Sequence, residues 1–383
     1  MNEQPRFDTH VCLVSGQATP NLTPAIDPAF APRHVVLLVS KDMRSRAESL
    51  ARVLKRREIS LTALPVPDPY DYFGVEDILL SWLSEHEGDA VALNVTGGTK
   101  VMAMAAQEVF RASGKPVFYV NIENDEVLFL GQKQASFKLG HRIKLRDFLE
   151  AHGYSLEGAP SRPGIEAWER DLTTKLAYDL GQIGKGLGEL NWLAQEARGS
   201  LRSPELTDAQ GDSKQLDELI YRFSGENQLK LEGRRLIFPS ELARSFVNGG
   251  WLERYVFRTL ADLAPNLGLT EYAIGLKVVA PDGATRNEID AAFLYRNRLH
   301  LIECKTANLA SPGRGGDSKG ADAVYKLENL RKMGGIAAKG MLIDYRGSLS
   351  DADRKRAQES GIAVVGGNQV RNLAEKIRDW VRT

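Results

Sequence analysis

The chain has 383 residues, with 50 basic and 50 acidic side chains and so no net formal charge. Apolar residues make up 43% and charged residues 26%, the values of an ordinary globular protein long enough for two domains. The charge balance gives no support to a globally basic nucleic-acid binder, though it leaves room for a local basic patch, and no run of about eighteen apolar residues is present to span a membrane. The first ten residues, MNEQPRFDTH, lack the apolar segment of a secretory signal. Cys12 and Cys304 both lie in apolar runs and read as buried thiols of a reducing cytoplasm.

Along residues 1–150, apolar strands alternate with helical patterns. Strands are expected at Val11–Val14, Val35–Val39, Leu61–Val66 (broken by Pro65), Ala90–Val95 and Pro116–Ile122, with a hairpin return at Val127–Leu130. Helices are expected at Arg44–Arg57, Val75–His86 and Thr99–Ala112. This order implies a mostly parallel sheet covered on both faces, binding ligands at the carboxyl ends of its strands. At those ends stand two polar loops. One holds Ser15, Gln17 and Thr19; the other is Asn94-Val95-Thr96-Gly97-Gly98-Thr99-Lys100, which follows a strand and opens a helix. Glycines permit close backbone approach, and unpaired N–H groups at a helix start attract anions. Lys100 adds charge, and Lys41 lies within reach after the second strand. The loop is neither a Walker A sequence nor a dinucleotide fingerprint, so the residues alone say anion or nucleotide loop, or an ordinary strand–helix turn. His10 and His34 precede strands, at the far end from the loop, which argues against a general base there.

Residues 151–245 read as a connector. Glu157–Gly164 is rich in Pro, Gly and Ser and marks the boundary. A helix is expected at Trp168–Leu180, interrupted by the four glycines of Gly181–Gly188, with another at Leu190–Ala197 and a polar loop over Arg198–Asp212. The basic residues Lys230, Arg234 and Arg235 face either substrate or solvent.

In residues 246–383, Asn248-Gly249-Gly250 precedes an amphipathic helix, Trp251–Ala264, with Glu253 at its start. A strand at Tyr272–Val279 leads into a β-hairpin, Arg286–Lys305. Asp290 lies in its first strand, and Glu303 and Lys305 in its second. Strand side chains alternate, so Glu303 and Lys305 share one face while Ile302 and Cys304 point into a core; by the same parity Glu288 and Asp290 share a face. Charges inside an apolar strand are costly unless satisfied. Two carboxylates and an ammonium suit a hard divalent cation and an activated water. A loop with three glycines follows over Ser311–Lys319, then a helix, Ala321–Arg331, carrying Lys326, and strands and helices to Trp380.

Asp290, twelve residues, then Glu303-x-Lys305 resembles the core of PD-(D/E)XK nucleases, and the loop Asn94–Lys100 resembles the nucleotide-sensing loop of CARF domains. In this order they resemble the CRISPR ancillary nucleases of type III immunity. The resemblance implies an α/β chain with a Rossmann-like CARF domain (1–150), a connector (151–245) and a restriction-endonuclease-like α/β domain (246–383). It implies a homodimer binding a cyclic oligoadenylate, with cyclic tetra-adenylate the expected ring, through Ser15, Gln17, Thr19, Lys41, Asn94, Thr96, Gly97, Gly98, Thr99 and Lys100. It further implies Mg²⁺ or Mn²⁺ held by Glu253, Asp290, Glu303 and the Cys304 carbonyl. Lys305, its pKa depressed where it is partly desolvated near the metal, would orient or help deprotonate the water, and Lys326 would support the scissile phosphate of DNA or RNA. The alternatives are a regulator that binds nucleic acid without cutting it, a nucleotide hydrolase and a transcription factor. The intact acid–amine set speaks against the first, the missing Walker loop against the second, and strands in place of a helix-turn-helix against the third.

Overall fold

The computed structural model describes residues 6–131, 136–313 and 316–383. In the first part, β1 (Thr9–Leu13), α1 (Thr19–Ile26), β2 (His34–Ser40), α2 (Arg44–Lys55), β3 (Ser60–Val66), α3 (Tyr72–Glu85), β4 (Val91–Asn94), α4 (Lys100–Ala112), β5 (Val117–Asn121), β6 (Glu126–Phe129), β7 (Phe137–Lys138) and α5 (Leu145–Ala151) follow one another. The sheet order is β3-β2-β1-β4-β5-β6-β7, parallel through β5 and antiparallel beyond. Runs such as His34–Ser40 (HVVLLVS) bury both faces: Val36 and Leu38 pack towards α3 and α4, Val35 and Leu37 towards α1, α2 and α5. Pro65 does not break β3. It sits on the edge strand opposite Val39, where a missing N–H is tolerated. His10 is fully buried inside β1 rather than before it.

Helix α1 is absent from the sequence reading, which met two prolines there. Pro20 stands in the first turn, where its missing N–H costs nothing. Pro24 removes the donor for the Pro20 carbonyl, and the Asn94 side-chain N–H takes its place at 2.8 Å. A residue of the sensing loop thus completes a helix from another part of the chain.

The connector starts with β8 (Ser155–Leu156), then α6 (Ala167–Tyr178), α7 (Leu180–Glu196), β9 (Arg202–Glu205), α8 (Asp208–Gly211), α9 (Lys214–Gly225), β10 (Lys230–Glu232), β11 (Arg235–Ile237) and α10 (Glu241–Ser245). The expected interruption at Gly181–Gly188 does not occur: α7 runs through all four glycines. Packing overrides propensity here. A Cβ on Gly186 would lie 2.5 Å from the Gln215 carbonyl carbon, so glycine lets α9 approach closely. The expected loop at 198–212 contains β9 and α8, and β9 joins β10 and β11 in a small sheet. There Arg234 and Arg235 pair with Asp208 and Glu205.

The last part comprises α11 (Trp251–Leu267), β12 (Glu271–Val279), β13 (Arg286–Tyr295), β14 (Arg298–Lys305), α12 (Lys319–Arg331), β15 (Lys339–Asp344), α13 (Asp351–Glu359), β16 (Ile362–Gly366) and α14 (Leu373–Arg382). The mixed sheet runs β16-β15-β14-β13-β12-β8, so the connector contributes its edge strand. Of the loop expected over Ser311–Lys319, residues 314 and 315 lie outside the described residues. One sheet face, with Ile302, Phe293 and Ile343, packs on α11, α14 and the connector. The other, with Leu299, Leu301 and Leu342, packs on α12 and shares one core with Cys12, Leu22, Leu50 and Phe148 of the sensor. The hairpin turn Arg296-Asn297 has positive φ at both residues, and buried Asn297 plugs into the sensor. Its Oδ1 accepts from Ile143 N (2.9 Å), and its Nδ2 donates to Asp125 Oδ1 and the His141 carbonyl (both 3.1 Å). Among the described residues no helix is long and apolar enough to cross a membrane.

Candidate active site and sensing loop

The β13–β14 ladder runs from Tyr295/Arg298 to Ala291/Ile302 and stops there. Beyond it the Cys304 N–H is taken by the Asp290 carboxylate at 2.7 Å instead of by a strand carbonyl. Simple alternation also stops. Ile289 and Ala291 have the same parity yet pack into different cores, as do Ile274 and Leu276 on β12, either side of Gly275 with φ +59°. Glu288 and Asp290, expected on one face by parity, both stand close enough for their charges to act on Glu253.

Glu303 is completely buried. Its Oε1 accepts from Lys305 Nζ (2.5 Å), and both of its oxygens accept from Lys326 Nζ (2.7 and 2.8 Å) on α12. Lys305 also stands 4.0 Å from Asp290 Oδ2. Glu253, in the first turn of α11, lines the same cleft as Asp290. Burial, then the charges of Asp290 and Glu288, push its carboxyl up to about 8; burial and Glu303 push Asp290 up to about 6. The acids are crowded beyond what they hold comfortably as anions. For Lys305 burial acts to lower the pKa, but Glu303 and Asp290 outweigh it and raise it above the usual lysine value. Its two carboxylate neighbours hold Lys305 as the ammonium here, whereas the depressed pKa is expected of it beside a bound metal ion.

Hard oxygen donors under mutual repulsion are the chemistry that a divalent cation neutralises, so the residues fit Mg²⁺ or Mn²⁺ in kind. As they stand, no three acid, histidine or cysteine side chains among the described residues are placed to hold one ion. The Lys305 ammonium lies between Glu303 and Asp290 instead.

The cleft beside these groups has a volume of about 590 Å³, and the connector supplies one of its walls. Gly188, Asn191, Trp192 and Gln195, spaced as one stripe of α7, face it, and the Asn248-Gly249-Gly250 turn forms its floor. Gly249 has φ +108°, and a Cβ there would lie 2.5 Å from Thr306 Oγ1. That segment is a kink between α10 and α11, with non-helical backbone at Asn248 and Gly249. The sequence reading gave the connector no residue of this cleft. Asn191, Trp192 and Gln195 lie on the helix expected at Leu190–Ala197, but only packing shows that this helix faces Glu253 and Asp290.

At the other end of the molecule, the sensing loop is built largely from its own polar groups. Asn94, fully buried, donates to Asn21 Oδ1 (2.9 Å) as well as to Pro20, and accepts from Thr96 N (3.2 Å) and Thr96 Oγ1 (2.7 Å). Thr96 Oγ1 accepts from Val120 N at 2.7 Å. Thr99 caps α4, accepting from Met102 N (3.1 Å) and donating to the Pro69 carbonyl (2.7 Å). Thr19 is buried in α1. Gly97 packs so close that a Cβ would meet the Leu13 carbonyl oxygen at 2.0 Å, and Gly98 has φ +71°. Lys41 and Lys100 are exposed, while Ser15, Gln17, Thr96, Gly98 and Thr99 are half-buried. Gln17 also touches the second domain: a Cβ on Gly335 would lie 2.1 Å from its Oε1.

A Rossmann-like sensor sheet joined through one core to a mixed sheet with a buried acid–amine cluster defines a two-domain nuclease with a nucleotide-sensing loop. Residues 9–148 match the Card1 CARF domain, and residues 240–383 match the Card1-like endonuclease domain. The chain belongs to the CRISPR ancillary nucleases that join a CARF domain to an endonuclease domain. Protein VC1899 from Vibrio cholerae is similar over 98% of both chains at 28% identity and TM-score 0.87. Can2 from Sulfobacillus thermosulfidooxidans, solved in complex with cyclic tetra-adenylate, is similar over 98% of both chains at 27% identity and TM-score 0.80. A type III CRISPR defence DNA nuclease activated by cyclic oligoadenylate shares the fold over 88% of this chain and 45% of its own, at 21% identity and TM-score 0.53. No curated protein matches the chain.

Proposed function

We propose that this chain is a metal-dependent nuclease switched on by a cyclic oligoadenylate, with cyclic tetra-adenylate as the ring and a homodimer as the working unit. The observation that carries the reading is the meeting of Asp290, Glu303, Lys305 and Lys326 at one buried strand end, with Glu253 opposite. Glu253, Asp290, Glu303 and the Cys304 carbonyl would hold Mg²⁺ or Mn²⁺, which when bound supplies Lewis-acid stabilisation of phosphoryl charge. Lys305, kept protonated, orients the attacking water and offsets charge developing on the phosphate. Lys326 supports the scissile phosphate of DNA or RNA.

With both ammonium groups on Glu303, the arrangement is the resting one, and activation moves them off. Lys326 rides on α12, and the segment after α12 carries Gly335, against which Gln17 of the sensing face rests. The hairpin with Asp290 and Glu303 is tied to the sensor by Asn297. A ligand displacing Gln17 therefore acts on both sides of the active site. On the sensor, Lys100 and Lys41 supply charge to the ring's phosphates. Ser15, Gln17, Thr96, Gly98 and Thr99 supply donors and close backbone, and Asn94, Thr19 and Gly97 hold the loop in shape. Similarity to Can2, solved with cyclic tetra-adenylate, supports this ring.

The test is a cleavage panel of single-stranded RNA, single-stranded DNA and supercoiled plasmid in Mn²⁺, with cyclic tetra- and hexa-adenylate in turn. Cutting of at least one substrate that depends on the tetra-adenylate is expected. Cutting that ignores both rings, or none at all, sinks the reading.

A further inference from the structure

We propose that the α7 stripe Asn191, Trp192 and Gln195 is a nucleobase subsite of the nuclease cleft, with the Trp192 indole as a stacking platform for an unpaired base of the substrate. The proposal rests on the nuclease reading and adds a substrate-binding wall drawn from the connector.

Helix α7 has two different faces. Ile183, Leu187, Leu190, Leu193 and Ala194 are buried in the core. The opposite stripe lines the cavity that also holds Glu253, Asp290, Cys304 and Lys305. In that stripe Trp192 keeps 48% of its surface exposed, although burial would stabilise so large a ring. Among the described residues it is the only aromatic side chain lining this cavity. An exposed indole beside a phosphodiester-cutting centre presents a π-face that any base fits once it leaves its stack.

The neighbours carry polar groups suited to a base edge. Asn191 Nδ2 donates to Thr306 Oγ1 at 3.0 Å, while its buried Oδ1 has no partner. A buried unsatisfied acceptor calls for a donor, and the amino and imino groups of a base are donors. The Gln195 carbonyl accepts from Asn248 Nδ2 at 3.0 Å, which fixes the amide's orientation in the wall. Arg346 and Lys319 stand in the same cleft without a carboxylate partner among the described residues, placed to hold phosphates flanking the stacked base. Gly188 leaves room for Arg346, whose Nη1 lies 3.0 Å from where a Cβ would stand. A cleft of about 590 Å³ is the size that encloses a single small-molecule-sized group such as one nucleotide.

The test compares the parent chain with Trp192→Ala, Trp192→Leu and Trp192→Phe. A short unpaired oligonucleotide carrying 2-aminopurine is titrated with cyclic tetra-adenylate present and the divalent cation withheld, so that stacking is read by fluorescence quenching without cutting. KM and kcat are then measured in Mn²⁺. Stacking on an aromatic ring predicts that Trp192→Ala and Trp192→Leu lose the quenching and raise KM about 5- to 150-fold, with kcat changed far less. Trp192→Phe recovers most of both. Because the ring is half exposed, all three should melt close to the parent. Quenching and KM unchanged in Trp192→Ala, or a Leu variant as good as Phe, would overturn the subsite while leaving the nuclease reading intact. Quenching that depends on Trp192 in a protein that cuts nothing would uphold base binding and remove the nuclease reading.

Discussion

At the ends of β1 and β4, the polar side chains of the sensing loop bond to one another and to backbone, and the exposed charge of Lys100 is left over. At the split of β13 and β14 the reverse holds: the side chains that meet are charged, Glu303 is buried and the others half-buried, and two of the acids are crowded far from their ordinary ionisation. The first region is a finished shape with a surface charge. The second is an unfinished balance of charges. A sensor can afford to be pre-built, since it has only to receive an anion. A hydrolytic centre works through charge that is completed when cation and substrate arrive.

The sharpest way to break this comparison is Glu303→Gln. Cutting is expected to fall by at least about a thousandfold, while calorimetry with cyclic tetra-adenylate shows unchanged affinity. Loss of ring binding in that variant would mean the two regions are not separable. Next is Lys100→Ala, which should weaken ring binding about 10- to 100-fold through the loss of one charged contact to phosphate. Maximal cutting at saturating ring should stay near the parent's; a lower maximum instead would place Lys100 in the coupling.

Asn94→Ala sharpens the claim that the loop is pre-built. It strips donors from Asn21 and Pro20 and an acceptor from Thr96, so denaturant unfolding should register about 2–3 kcal/mol of lost stability. A stable variant with weak ring binding would instead make Asn94 a direct ligand contact. Last, and with no effect on cutting at neutral pH, is acid sensitivity outside both sites. Burial holds His10 and His300 down at about 3 and His152 at about 4. Their ring nitrogens include unpartnered ones. The folded state keeps them neutral while the unfolded chain takes up protons near pH 6.5. Stability is therefore complete above that pH and lost as pH falls towards 4, at about 1.4 kcal/mol per unit per histidine. Replacing His300 with Phe should flatten a third of that slope in a pH series of unfolding midpoints.

Most strands were legible because apolar runs such as His34–Ser40 and Leu299–Ile302 are too continuous to be anything else. Two of the elements misread share one cause. Helix α1 carries two prolines and α7 four glycines, so local propensity points away from helix; each exists because something distant completes it, Asn94 for α1 and the close approach of α9 for α7. The cleft wall went unseen for another reason: Asn191, Trp192 and Gln195 share a face of the helix expected at Leu190–Ala197, but that this face looks onto Glu253 and Asp290 is set by packing.

Residue order alone determined which acids and amines lie on neighbouring strands, because the hairpin around Arg296-Asn297 sets a register that ends at Ala291 and Ile302, one residue short of Asp290 and Glu303. It also determined where the glycine-rich loop sits, at a strand's carboxyl end before a helix. Only the tertiary structure decided the state of those groups. Lys305 stands as an ammonium because two carboxylates flank it, Lys326 reaches Glu303 because α12 packs on that face, and Gln17 meets Gly335 because both domains share one core. Charge state and contact between distant segments depend on what else is brought within a few ångströms, and that is set by packing rather than by spacing along the chain.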